Sequence, residues 1–194
     1  MSKNYLAYTL LVFATFCWSG NFIVGKFAYL FEVPPLTLNF LRWVSVWLLL
    51  IPFTYKDIYK NWGNIKKNWI VISFMGVITI STFNSVVYFA LTHTQVINAV
   101  LVLAAIPAVT IIISSIMKVD KTNIFQLFGL LLSVIGISAI ISNADLNKIV
   151  SLSFNKGDLW MLVCVLSWSL YSTLLKKHSF KFSQFTLIQL MVSV

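Results

Sequence analysis

No charged residue occurs from Asn68 to Met117, and none occurs between Lys3 and Lys26. Uncharged runs of this kind restrict a chain to helices in a bilayer, because a span needs roughly 20 apolar residues rising about 1.5 Å each. The composition agrees: 59% of the 194 residues are hydrophobic and 10% charged, against roughly 25% charged in soluble domains. The formal charge of +9 would suit a nucleic-acid binder. Here, however, the cations gather in short clusters between apolar runs, the pattern that encodes membrane topology. Nucleic acid is therefore excluded as a partner, and the lipid bilayer is the expected surrounding.

Reading along the chain gives six spans and the start of a seventh. Helix 1 is expected over Tyr5 to Val24, retained and not cleaved, and helix 2 over Leu36 to Thr54, after a turn holding Glu32, Pro34 and Pro35. The polar, basic stretch from Tyr55 to Asn68 reads as a surface loop. The long uncharged run exceeds one crossing and is interrupted by the polar turn Thr92-His-Thr-Gln95. It divides into helix 3, Trp69 to Leu91, and helix 4, Val96 to Met117, with Pro107 kinking the latter by removing a backbone hydrogen bond. Lys118 to Asn123 is a loop, Ile124 to Ser142 helix 5, Asn143 to Asp158 a polar connector and Leu159 to Leu175 helix 6. A basic turn, Lys176 to Lys181, precedes a seventh helix that begins near Phe182 and is still apolar at Val194. That last segment is too short for a crossing. The sequence thus reads as a fragment of a longer protein or as a chain truncated in nature.

Ten lysines fall on one side of this layout, and three (Lys26, Lys148 and Lys156) on the other. The positive-inside bias then puts the N-terminus in the cytoplasm of a multi-pass protein. Within this frame one nine-residue pattern occurs twice. Trp18-Ser-Gly-Asn-Phe-Ile-Val-Gly-Lys26 returns as Trp168-Ser-Leu-Tyr-Ser-Thr-Leu-Leu-Lys176, with Trp, Ser and Lys shared. The odd number of helices between the copies makes the second enter the bilayer from the opposite side. That is the arrangement of inverted-repeat carriers, which alternate access around a midplane site. The competing reading is two unrelated helices that each hold a tryptophan and end in an interfacial lysine.

Arg42 is the one charge well inside an expected helix. Placing a cation there costs about 2.5–3.5 kcal/mol on insertion scales, so such residues face a cavity or a partner, unless they snorkel to the interface. Trp18 and Asn21 share a helical face that Gly25 continues, and Asn84 and Tyr88 share another. Asn98 lies one turn into helix 4. Amides at membrane depth must find partners, so these either line a wet cavity or tie helices together. Trp168 and Tyr171 are the candidates of the second copy, too central for an aromatic belt. Lys26 and Lys176 read as interfacial anchors, and Cys17 and Cys164 as small core residues. Gly129, Ser133 and Gly136 read as a small-residue stripe for close helix packing. His93 and His178 lack ligand-spaced neighbours, so no metal or cofactor is expected. Glu32, Asp57, Asp120, Asp145 and Asp158 all lie in loops or at helix ends. A proton-binding midplane carboxylate is thus not seen, and exchange or facilitated diffusion is at least as plausible as proton coupling.

These residues resemble the EamA family of the drug/metabolite transporter superfamily. The likeness rests on Trp18-Ser-Gly-Asn-Phe with Lys26, on Pro34 or Pro35 ahead of Leu41-Arg42, and on Asn84, Tyr88 and Ala90-Leu91. It continues through Asn98-Ala99, Pro107, Gly129, Gly136, Gly157-Asp158, Trp168-Ser169 and Tyr171. The resemblance implies an all-α, ten-helix inner-membrane carrier of two inverted five-helix repeats, moving small polar metabolites such as amino acids. Residues 1–145 would form the first repeat and 146–194 the incomplete start of the second. Were the chain complete, a homo-oligomer would be needed to finish the cavity. The rival classes are a non-transporting membrane protein, either an assembly factor or a membrane enzyme, and an inactive truncated remnant. Against the enzyme, no His/Asp/Ser or Cys/His constellation occurs at membrane depth.

Overall fold

The computed structural model describes residues 3–120, 123–141 and 156–194. Among these the secondary structure is helical. The helices are α1 (Lys3–Leu30), α2 (Pro35–Lys60), α3 (Trp62–Gly76), a π-helical segment (Val77–Phe83), α4 (Asn84–Ala90), α5 (Val96–Leu103), α6 (Ile106–Ile116), α7 (Ile124–Ile141), α8 (Lys156–Lys177) and α9 (Gln184–Val192). Five stretches are long and apolar enough to cross a membrane: Tyr5–Leu30, Pro35–Lys60, Trp62–Ala90, Val96–Ile116 and Lys156–Lys177. The chain is an all-α, multi-pass membrane protein.

Local chemistry explains where these helices start and stop. The amide of Glu32 bonds to the carbonyl of Tyr29 and that of Val33 to Ala28, closing α1 with Glu32 at a positive φ of 58°. Pro35 opens α2 at the position where a helix has no use for an amide hydrogen. The turn after α4 falls where Thr92 to Gln95 predicts it. The expected break at Pro107 is present too, since α5 ends at Leu103 and α6 restarts at Ile106.

Tyr55–Asn68 is not the loop its polarity suggests. α2 continues to Lys60 and α3 begins at Trp62, with Asn61 alone between them. Asn61 Nδ2 donates to the side chain and the carbonyl of Asp57, holding the corner. Lysines at the ends of long membrane helices mark the depth at which water begins, not the end of the helix. The boundary expected between residues 145 and 146, with most of the Asn143 to Asp158 connector, lies outside the described residues.

Two apolar clusters join the helices. One gathers Phe22 of α1, Val87 and Leu91 of α4, Val102 of α5, and Met161 and Val165 of α8. The other joins Ile72 and Met75 of α3 to Leu174 of α8 and to Leu187 and Met191 of α9. At Gly76 the backbones close on each other: an added Cβ would lie 2.6 Å from the Met191 carbonyl oxygen. The stripe expected to allow such contact does not make it. A Cβ at Gly129 or Gly136 would meet nothing within 4 Å, because that side of α7 faces away from the described helices. Outward faces are apolar as well, with Phe16 74% and Phe53 77% exposed, as lipid contact requires.

α9 is tied to α2 at the end of the bundle that holds Asn61. Asp57 Oδ2 accepts from the Ser183 amide (2.8 Å) and from the Thr186 hydroxyl (2.7 Å). At the opposite end the Thr94 hydroxyl donates to Asp158, at the start of α8 (3.0 Å).

Candidate functional site

Arg42 turns from α2 into the space between α1 and α4. Its Nη1 donates to Asn21 Oδ1 (2.5 Å) and to the Tyr88 hydroxyl (2.6 Å), and Nη2 donates to Asn84 Oδ1 (2.5 Å). The Tyr88 hydroxyl also donates to Asn21 Oδ1 (2.6 Å). The guanidinium carbon lies 4.8 Å from the centroid of the Trp43 ring, a cation–π distance. Arg42 therefore does not snorkel: three neutral oxygens from two other helices hold it.

The sequence folds this way because the wide turn of the π-helical segment leaves carbonyls for side chains to satisfy. Asn39 Nδ2 of α2 donates to the Ile80 carbonyl (3.0 Å) and to the Ser85 hydroxyl (2.9 Å). Asn84 Nδ2 donates to the Thr79 carbonyl (2.7 Å), which leaves its oxygen aimed at Arg42. Such widened turns recur at functional sites. Gly25 allows Tyr88 to reach the cluster, since a Cβ there would lie 2.7 Å from the Tyr88 ring. Asn39 Oδ1 and Trp43 Nε1 are buried without a partner.

A half-open cavity of about 390 Å³ lies against Arg42. Trp18 and Asn21 of α1, Arg42 and Trp43 of α2, Phe83 and Asn84, and Trp168 and Tyr171 of α8 line it, with Met191 of α9. Its aromatic wall is continuous: Trp168 packs on Trp18 (centroids 5.3 Å), on Phe83 (4.7 Å) and on Tyr171 (5.5 Å). Polar character is concentrated at Arg42 and its amides, while the rest is ring and alkyl surface. The arrangement can hold a small molecule with one polar head and one apolar body.

Of the residues expected from sequence, Trp18, Asn21, Arg42, Asn84, Trp168 and Tyr171 line this cavity. Tyr88, 2% exposed, stands behind it and braces Arg42. Asn98, on α5, is not among the lining residues and makes no hydrogen bond to a described residue. Cys17 is not the core residue expected: it is exposed and lines the cavity, one turn before Asn21. Cys164 is fully buried. Trp43 and Met191 were missed. The first follows Arg42 directly in sequence, and the second belongs to a helix whose placement depends on the Gly76 contact.

The two lysines differ from the interfacial anchors expected. Lys26 Nζ donates to the carbonyls of Leu91 (2.7 Å) and Thr94 (3.1 Å), closing the turn after α4. Lys176 pairs with Asp120 at 2.7 Å, both side chains largely in solvent.

The EamA-like transporter family matches residues 5–142. A Bacillus subtilis protein named "Uncharacterized transporter YyaM" is 28% identical over 130 residues, 67% of this chain and 42% of its own length. An Archaeoglobus fulgidus protein named "Uncharacterized transporter" is 27% identical over 188 residues, 96% of this chain and 62% of its own length. The chain thus spans about half the length of the curated relatives it matches. No solved structure matches it.

Proposed function

Because the chain belongs to the EamA-like transporter family, we propose that it forms the substrate-binding part of a carrier for small polar metabolites, amino acids among them. Transport would proceed across the cell inner membrane, with the N-terminus in the cytoplasm, by alternating access of two inverted repeats. The observation that carries this reading is the cavity: Arg42 and two amides at one side, four aromatic rings at the other. A carrier site needs such a pocket, apolar enough to sit at membrane depth and polar at a few fixed points. The meeting of Trp18 and Trp168 across it supports two copies of one motif facing a shared site.

The test is transport by the purified chain in proteoliposomes, loaded with a mixture of metabolites and read by mass spectrometry of the medium. Movement of a defined subset, lost in Arg42→Ala with normal membrane insertion, is the expected result. Unchanged movement in Arg42→Ala would remove Arg42 from the site. No movement of any metabolite would overturn the reading for this chain.

A further inference from the structure

Arg42 carries a full positive charge, yet all three of its acceptors are neutral. Among the described residues the ion pair formed is Lys176 with Asp120, at the solvent-exposed end of α8. A guanidinium offers five N–H donors in a planar fork. Nη1 spends both of its hydrogens on Asn21 and Tyr88, and Nη2 spends one on Asn84. The Nε–H and the second Nη2–H have no acceptor among the described residues, and the side chain borders the cavity. A half-used fork beside an open space, at a depth where charge is poorly solvated, lacks two oxygens and one negative charge.

We propose that this cavity binds a carboxylate-bearing substrate, its two oxygens on the unused donors of Arg42 and its apolar body against Trp18 and Trp168. The inference rests on the carrier reading above and narrows its substrate class. A carboxylate supplies one charge and two coplanar oxygens, matched to the guanidinium fork. A phosphate ester would bring further oxygens and charge against Trp18, Phe83 and Trp168, where no second cation of the described chain lines the cavity. A cationic substrate would meet Arg42 with like charge and no acceptor left over.

Asn21 provides the decisive variant. One oxygen accepts from both Arg42 and Tyr88, while its amide nitrogen donates to no described residue. Asn21→Asp therefore keeps both bonds and supplies the missing charge from within the protein. The measurement is binding to the purified chain in detergent of phenylacetate, phenylacetamide and phenethylamine, three heads on one ring, read by tryptophan fluorescence. Phenylacetate is expected to bind at least tenfold more tightly than the other two. In Asn21→Asp, with a melting temperature unchanged or raised, that preference is lost while phenylacetamide binding is retained. Equal affinity for the three heads, no phenylacetate binding, or an unaltered preference in Asn21→Asp would each overturn the inference. Proteoliposomes that move metabolites without preferring carboxylates would sink the inference and leave the carrier reading. A carboxylate preference without any transport would do the reverse.

Discussion

Trp18 and Trp168 occupy the same place in two copies of one pattern and touch each other across the cavity, ring centroids 5.3 Å apart. The lysines eight residues further on diverge. Lys26 folds inward onto two carbonyls of the turn after α4, whose Thr94 also holds the start of α8. Lys176, at the end of α8, pairs with Asp120 in solvent. The same Trp-Ser-x6-Lys string thus gives matching chemistry at the centre and unlike chemistry at the rims. At the centre two aromatic rings have only each other and their helical neighbours to pack on. At the rims the partner is set by whichever turn lies nearest, and the two turns differ.

Substitutions can break this comparison in graded steps. Trp168 touches three rings and Trp18 one. Trp168→Ala should therefore be the most damaging, near 3 kcal/mol as for large aromatic truncations, with Trp18→Ala well below it. Melting temperatures in detergent would show the order, and an equal loss for the two would mean that Trp168 is no keystone. Next comes Lys26→Met, which leaves the Leu91 and Thr94 carbonyls without this donor at a cost of about 1–3 kcal/mol. Faster hydrogen exchange at the turn and α5 is the accompanying sign. Smallest is Lys176→Met, worth about 0.2–1 kcal/mol as an exposed ion pair. That effect should vanish in high salt; if it matches Lys26→Met, the two rims are alike after all.

The spans were legible because insertion depends on apolar length, a property of the string itself. The turn at Thr92 to Gln95 and the break at Pro107 were legible because each follows from a local backbone requirement. The candidate site was readable as a set of residue types: Arg42, Asn21 and Asn84 had to find partners at depth, and they found one another. What the string did not carry was geometry set at long range. The π-helical segment depends on Asn39 and Asn84 rescuing its carbonyls. The close approach falls at Gly76 and not at Gly129 or Gly136, since only the packing of α9 decides which glycine needs the space. Asn98 shows the same limit: depth alone does not say which way a helix face turns.

The segment Val77–Phe83 amounts to one residue slipped into an otherwise continuous helix. Deleting one residue within it would let ordinary helical bonding run through from α3 to α4, with better local hydrogen bonds and a shorter span. Everything beyond the deletion would then rotate by about 100° relative to α3. Asn84 and Tyr88 would swing off Arg42 together, and Phe83 off Trp168, although no side chain of the site had been changed. The irregular turn therefore sets the phase of the helix, and the site exists only at that phase.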